Sequence, residues 1–144
     1  MVPTPQQKGD ALENAVRGIE NLLLSLSPSL QQETHKIESK KIISVGDVHL
    51  EIDVFISVDL GSGYKSVFIF ECKNWKDAVG KNEVIVFSEK VGVCQAQWGC
   101  IVAKSFTSGA ENQAKNSISS WITTENSFRR AMQNLRRTPA CAYI

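Results

Sequence analysis

The chain has 144 residues, of which 42% are hydrophobic and 22% are charged, and its formal net charge is +1. This length can bury one substantial core, and nothing in the composition indicates a second folded unit. The nearly neutral charge excludes a protein that coats nucleic acid through bulk positive charge, so any DNA contact must come from local lysines or bound cations. We expect a flexible N-terminus over residues 1–10, one folded domain over 11–126 and a basic C-terminal tail over 127–144.

No apolar run approaches the roughly 20 residues that a membrane helix needs, and the first residues lack the apolar core of a signal peptide. We therefore expect a soluble, cytoplasmic protein without membrane contact. The four cysteines form no C-x-x-C pair and show no zinc-type spacing with the two histidines. This pattern argues against a disulfide framework and against a structural zinc site.

The first half of the chain predicts one helix and three strands. Apolar residues at helical spacing indicate an amphipathic helix over residues 11–26. A weaker pattern favours a strand over 35–45. Two clearer strands follow over 50–58 and 65–73, and the glycine-containing connection between them, residues 59–64, favours an antiparallel hairpin.

The two hairpin strands carry charge at one end. Alternation in the first strand places Glu51 and Asp53 on the same face. The apolar residues of the opposite face are Ile52, Val54, Ile56 and Val58. The second strand is apolar on both faces until Glu71, which is typical of a central strand that gains charge at its end. If the two strands pair symmetrically about the turn, the numbers of opposed residues sum to about 124. Asp53 then lies across from Glu71, and Glu51 lies across from Lys73.

This register predicts a cation site. Directly opposed carboxylates repel each other unless one takes up a proton or a cation lies between them. A divalent ion between Asp53 and Glu71 removes the conflict, and Lys73, on the same face as Glu71, can reach a water or phosphate held by that ion. The alternative interpretation is an ordinary cluster of cross-strand ion pairs at a solvated rim of the sheet. Spacing alone does not separate the two.

The second half of the chain predicts a helix, a strand and a helix. Asn82 can cap the first of these helices, and residues 98–104 form a short apolar strand. Thr107 or Ser108 then caps a helix that reaches toward Trp121. Because a strand, a helix and a strand in succession imply a right-handed parallel crossover, the sheet is predicted to be mixed. The predicted element order is αβββαβα.

At this point the residues resemble a known family, the Mrr-like branch of the PD-(D/E)XK restriction-endonuclease superfamily. The resemblance is carried by Asp53, by Glu71-Cys72-Lys73-Asn74-Trp75, and by Phe106-Thr107-Ser108-Gly109-Ala110. The resemblance covers roughly residues 11–115. It implies a three-layer α/β/α fold of the restriction-endonuclease type, with core order αβββαβ followed by a helix and with a mixed sheet.

The resemblance also implies a function, which is type IV restriction by a DNA endonuclease that hydrolyses phosphodiester bonds with Mg²⁺, or alternatively Mn²⁺. Asp53 and Glu71 match the metal-binding carboxylates of the family, and the main-chain carbonyl of Cys72 corresponds to a further ligand. Lys73 matches the catalytic lysine. Hard oxygen ligands of this kind suit Mg²⁺, which retains several of its own waters.

The first helix is expected to supply one more catalytic carboxylate. Glu13 matches the helical glutamate that completes the acidic cluster in the Mrr-like branch. The alternative is that Glu13 merely forms a surface ion pair with Arg17, four residues further along the helix. Glu20 is a weaker competitor for the same role.

Candidate DNA contacts follow the predicted strands. They are Lys76, Lys81, Lys104 and Ser105. Lysines in loops are also commonly just solvated, so this alternative stays open. The arginine-rich end of the chain, residues 127–144, is interpreted as a DNA-contacting tail, an oligomer contact or a frayed terminus.

Two other functions remain open at the level of sequence. The same fold serves Holliday-junction resolvases and DNA-repair nucleases, so branched DNA is an alternative substrate. A catalytically silent DNA-binding domain is the alternative from a different class. DNA is the expected partner in each case, and a homodimer is not excluded.

Overall fold

The structure is a computed structural model. It describes residues 4, 6–7, 9–10, 13–14, 16–18, 35–61, 63–117, 120–128 and 130, without the side chains of 60, 120 and 121. Helical residues between positions 6 and 18 form what we call the N-terminal helical segment. The elements that follow it are β1 (His35–Val45), β2 (Val48–Gly61), β3 (Tyr64–Lys73), α1 (Lys81–Val93), β4 (Trp98–Ala103), α2 (Ser108–Asn116) and β5 (Ser120–Thr124).

The strands form one mixed sheet in the order β1-β2-β3-β4-β5. The first three strands are antiparallel neighbours, whereas β4 is parallel to β3 and β5 is parallel to β4. The two parallel connections contain α1 and α2, as a parallel crossover requires. The predicted α/β fold with a mixed sheet is therefore confirmed. Among the described residues, no helix has the length and apolar character needed to cross a membrane.

Each face of the sheet has its own hydrophobic cluster. The first cluster contains Val16 of the N-terminal helical segment, and its other buried members are Val54, Ile56, Val58, Phe70, Cys100, Val102 and Phe128. The second cluster lies under α1 and α2, and its buried members are Ile52, Phe55, Ile69, Val84, Phe87, Val91, Ile101, Ala110 and Ala114. Successive residues of β4 alternate between the clusters, as expected for a strand covered on both faces.

The caps of the two helices were predicted with mixed success. α1 begins at Lys81 and its N-cap is Gly80, not Asn82. The main-chain N–H of Gly80 donates to Glu83 Oε2 at 3.1 Å, so the glutamate in the first turn closes this helix end. Thr107 caps α2 as predicted, because its hydroxyl oxygen accepts a hydrogen bond from the Ala110 N–H.

The last strand was not predicted. α2 ends at Asn116, and Trp121, which was expected near the end of that helix, lies instead in β5. β5 has only five residues, and short strands give a weak periodic signal. The β-branched residues Ile122, Thr123 and Thr124 were the available indication of a strand.

The predicted hairpin register is confirmed over most of its length. Pairs from Val54–Phe70 to Asp59–Lys65 are those expected from symmetric pairing about the turn. The ladder ends there, however. The predicted backbone pairs that join Asp53 to Glu71 and Glu51 to Lys73 are absent from the described ladder, so the two strands separate where the charged residues begin.

A local irregularity in β1 lies opposite this separation. Lys40 has φ of 51°, in the left-handed region, and the ladder between β1 and β2 omits Lys40 and Asp53. Beyond this point Ile52 packs in the second cluster, although Val54 packs in the first. The prediction that Ile52 shares a face with Val54 was therefore wrong, because the alternation of β2 reverses at Asp53, although the register with β1 is the same on both sides.

Several predictions concern residues outside the described part of the chain. The helix predicted over 11–26 is described only at positions 13–14 and 16–18. Glu20, and the C-terminal tail except for residues 127, 128 and 130, also lie outside it.

The left-handed conformation of Lys40 predicts an unusual order of stability among variants. Lys40→Gly should be more stable than Lys40→Val by about 1 to 2 kcal/mol in free energy of unfolding, because a β-branched residue strongly disfavours positive φ. Urea denaturation of the two variants measures this difference. The matched control is Lys36, an exposed residue of the same strand. There the order should reverse, since valine suits an extended strand better than glycine. The same order at both positions would contradict the role of the Lys40 backbone.

Candidate active site

The candidate site lies where the sheet changes from antiparallel to parallel pairing. Glu71 and Lys73 stand at the carboxyl end of β3, and Asp53 lies on the antiparallel neighbour β2. β4 is parallel to β3, so the residues that follow both strands emerge at the same edge of the sheet. In open α/β sheets this edge is the usual position of ligand sites.

Asp53 fills the gap left by the separated strands. Its Oδ2 accepts a hydrogen bond of 2.7 Å from the main-chain N–H of Cys72, which has no ladder partner on β2. Burial raises the pKa of Asp53 above its usual value, the hydrogen bond opposes this rise, and the nearby charge of Glu71 adds to it. Among the described residues, Oδ1 of Asp53 makes no hydrogen bond, so one carboxylate oxygen is free to bind a ligand.

Glu71 is the most deeply buried charged group of the site, with an exposed fraction of 5%. Its two carboxylate oxygens face two different ammonium groups. Lys90 Nζ lies 2.6 Å from Oε1, and Lys73 Nζ lies 3.7 Å from Oε2. The buried charge is therefore compensated from both sides, as burial of a carboxylate requires.

Lys73 is held between a carboxylate and an aromatic ring. In addition to its contact with Glu71, its Nζ lies 4.9 Å from the centre of the Trp75 ring. A cation over the face of an indole is attracted by the ring quadrupole. Trp75 is itself exposed, so its ring and the Lys73 ammonium stand at the boundary between the buried Glu71 carboxylate and solvent.

Glu13 approaches the site from the N-terminal helical segment. Burial and the charge of Asp53 raise the pKa of Glu13 to about 7. The ion pair with Arg17 that we considered is not formed among the described residues, since the Arg17 guanidinium donates to Ser39 Oγ. Lys40 Nζ contacts Asp10 at 2.9 Å, which connects the same helical segment to β1. The structure thus places Glu13 close enough to sense the charge of Asp53.

Cys72 lies between the two acidic residues, with its side chain against the first hydrophobic cluster. Burial raises the pKa of the thiol well above its usual value. The thiol therefore stays neutral and acts in packing. The side chain is thus apolar in function, as expected, and the role of the main-chain carbonyl of Cys72 as a metal ligand stays a prediction.

The predicted DNA contacts lie in two adjacent loops and, for Lys81, at the first residue of α1. Lys76, Lys81, Lys104 and Ser105 are all exposed. The loops after β3 and β4 are joined by hydrogen bonds from Val79 N–H to Ser105 O and from Thr107 N–H to Val79 O, both 3.0 Å long. The three exposed lysines therefore belong to one edge of the sheet, the edge that also carries Lys73.

The donor set suits a hard cation that retains water. Within the described part of the chain, no group of three or more His, Cys, Asp or Glu side chains is arranged to hold a metal ion. A site built on Asp53 and Glu71 therefore has only two side-chain ligands plus main-chain carbonyl oxygen. Mg²⁺ is commonly bound by one or two carboxylates together with waters and substrate phosphate, so this small set fits it.

Lys90 is the site residue that sequence reasoning missed. It stands in the last turn of α1, and its ammonium also donates to the main-chain oxygen of Glu51 at 3.1 Å. Its side chain is only 16% exposed. The available indication was its position three residues after Phe87 and one before Val91, both buried, which places Lys90 at the border of the helix face that packs on the sheet.

Comparisons with known proteins give a match in structure alone. No protein-family model matches the chain, and no curated protein matches it significantly. Among solved structures, protein VC1899 from Vibrio cholerae matches with a TM-score of 0.67 and 16% identity, over 90% of this chain and 33% of that chain. At this identity the similarity shows the fold and nothing about activity.

Two further solved structures match more loosely. One is AF1548, described as a protein of unknown function, with a TM-score of 0.49 and 16% identity over 74% of this chain and 58% of that chain. The other is EndoMS in complex with double-stranded DNA, with a TM-score of 0.44 and 16% identity over 76% of this chain and 43% of that chain. The chain thus spans less than two thirds of each solved chain it matches, and these two overlaps carry no argument of their own.

Proposed function

We propose that the protein is a divalent-metal-dependent endonuclease that hydrolyses phosphodiester bonds in DNA. The observation that carries this proposal is the convergence of Asp53, Glu71 and Lys73 at one edge of the sheet, where Glu71 is buried and Asp53 is half-buried. Burial and the nearby charge of Glu71 raise the pKa of Asp53. Carboxylates with a raised pKa are concentrated at functional sites.

Each residue has a distinct task in this proposal. Asp53 and Glu71 hold the ion with the main-chain carbonyl of Cys72, and Mg²⁺ is the expected ion. When bound, it supplies polarisation of the phosphate and a lower pKa for the attacking water. Lys73 places a positive charge beside Glu71, where it can orient that water and stabilise charge that develops on the phosphate.

The exposed lysines at this edge support the proposal that DNA binds here. Lys76, Lys81 and Lys104 contribute a local positive patch in a chain of near-zero net charge. Such lysines bind backbone phosphates without reading sequence. DNA is accordingly the proposed partner, and assignment to the Mrr-like branch, with its restriction activity, is the more specific form of this hypothesis.

The proposal predicts chelator-sensitive nicking of supercoiled plasmid that depends on the site. Asp53→Asn and Lys73→Met should each lower the nicking rate about a hundredfold or more, the effect expected when a group that stabilises developing charge is removed. Agarose electrophoresis of plasmid incubated with Mg²⁺, with and without a chelator, measures the rate.

The matched control for Lys73→Met is Lys65→Met. Lys65 is exposed and stands at the opposite end of the same strand. The Lys65→Met variant should nick plasmid at the rate of the unmodified protein. If all three variants nick equally, the proposed site is not the catalytic one, and DNA binding without chelator-sensitive nicking would favour a silent DNA-binding domain.

Glu13 is proposed as the accessory carboxylate of the helical segment. Glu13→Gln should therefore slow nicking by about tenfold or more, less than the roughly hundredfold effect of losing a general acid or base, because Glu13 has only an accessory role. Glu20→Gln should leave the rate nearly unchanged. Parallel time courses of the two variants measure the difference. The reverse result would assign the accessory role to Glu20.

The raised pKa of Glu13 predicts a pH-dependent loss of stability. Its pKa is about 7 in the folded protein and about 4.3 in an unfolded chain. Between these values the folded state binds more protons than the unfolded state, so stability falls as pH rises.

The loss of stability is measured as a fall in melting temperature with rising pH, in the presence of a chelator. Relative to Glu13→Gln, the unmodified protein should lose a few degrees at most between pH 4.5 and 7.5, since Glu13 is only half-buried. Glu111→Gln, at an exposed position of α2, is the control and should follow the unmodified protein. The prediction would be contradicted if the melting temperature of the unmodified protein did not fall relative to that of Glu13→Gln as pH rises.

A further inference from the structure

Lys90 makes the shortest ion-pair contact in the described part of the site, and the proposed chemistry does not require it. Its Nζ lies 2.6 Å from Oε1 of Glu71, closer than Lys73, which lies 3.7 Å from Oε2. Lys90 belongs to α1 on the second face of the sheet, while Lys73 belongs to the same strand as Glu71. Two separate elements thus bring an ammonium group to one carboxylate.

Both partners of the Lys90 contact are largely removed from solvent. The exposed fractions of the side chains are 16% for Lys90 and 7% for Glu71. The Lys90 ammonium also donates to the main-chain oxygen of Glu51 on β2. This second partner lies outside the acidic pair, so Lys90 can keep one hydrogen bond when its contact with Glu71 is given up.

We propose that Lys90 is a tethered counter-ion that neutralises Glu71 in the metal-free protein and thereby lowers the affinity of the site for a divalent cation. This inference rests on the proposed function, since it assumes that Glu71 is a metal ligand. A carboxylate oxygen that already accepts from an ammonium at hydrogen-bond distance must be released before it binds a cation, and the positive charge of Lys90 repels that cation. Lys90 is therefore a positioning residue.

The consequence is a site that binds its ion weakly until DNA arrives. A DNA phosphate brings negative charge to the edge of the sheet and offsets the repulsion between Lys90 and the cation. The displaced ammonium keeps its hydrogen bond to the main-chain oxygen of Glu51. Binding of the ion and binding of DNA then favour each other, because each reduces the cost of the other. A simple structural ion pair between Lys90 and Glu71 would have no such effect on the ion.

The test is the affinity for Mn²⁺ in the absence of DNA, measured by isothermal titration calorimetry. Lys90→Met removes the charge and keeps a side chain of similar length, and it should bind Mn²⁺ about tenfold more tightly than the unmodified protein. Lys90→Gln should also bind more tightly. The control Lys65→Met should show unchanged affinity, and Asp53→Asn should not bind.

Thermal unfolding provides a second measurement that also confirms folding. With a chelator, Lys90→Met should melt below the unmodified protein because Glu71 loses its closest counter-ion. Saturating Mn²⁺ should raise the melting temperature of Lys90→Met more than that of the unmodified protein. In the chelator, the double variant Lys90→Met with Glu71→Gln should recover stability, since the Glu71 charge is no longer left unpaired. It should gain no stability from Mn²⁺, since a proposed ligand of the ion has been removed.

Two negative results have different meanings. If the unmodified protein binds Mn²⁺ through Asp53 but Lys90→Met and Lys90→Gln bind it no more tightly, the counter-ion role is overturned and the proposed function stands. If neither the unmodified protein nor Lys90→Met binds Mn²⁺, with or without DNA, the metal site itself is overturned, and both proposals fail.

Discussion

The candidate site is organised around a glutamate charge that the sheet keeps almost out of contact with water. Glu71 is 5% exposed, and a carboxylate at such a position costs several kcal/mol unless partners surround it. One partner, Lys90, comes from α1, so that helix must lie close against the sheet. Gly99 of β4 permits this approach, because a Cβ at Gly99 would lie 2.5 Å from Val91 Cγ2. Helix packing and compensation of the buried charge therefore depend on each other.

Asp53 is positioned by an interruption of strand pairing within the sheet itself. The left-handed backbone at Lys40 interrupts the pairing of β1 with β2, and the ladder between β2 and β3 ends at the same level. The Asp53 carboxylate then replaces a main-chain acceptor for the Cys72 N–H. One carboxylate is thus fixed by a main-chain donor and the other by two ammonium groups. Contacts within the protein thus hold both carboxylates in place, and under the proposed function this is the preorganisation that electrostatic stabilisation requires.

Much of this arrangement was visible in the sequence, and the rest depended on contacts across the fold. Strict alternation around a glycine-containing turn predicted the register from Val54–Phe70 onward, and the charges at the strand ends indicated which edge of the sheet to examine. Pattern reasoning failed at Ile52, because a positive φ at a lysine in a neighbouring strand leaves no trace in the alternation of β2. It missed Lys90 because a lysine at the end of a helix ordinarily just complements the helix dipole, and only packing reveals that it reaches Glu71.

The central claim is that Asp53 and Glu71 jointly bind a divalent cation beside Lys73. Crystals soaked in Mn²⁺ test it most directly, since anomalous scattering locates the ion without reference to activity. The account predicts an anomalous peak within about 2.5 Å of oxygen atoms from both carboxylates, the range of oxygen-ligand distances for hard cations. Ordered crystals that show no peak between these two residues, or a peak only at other acidic groups, would contradict it.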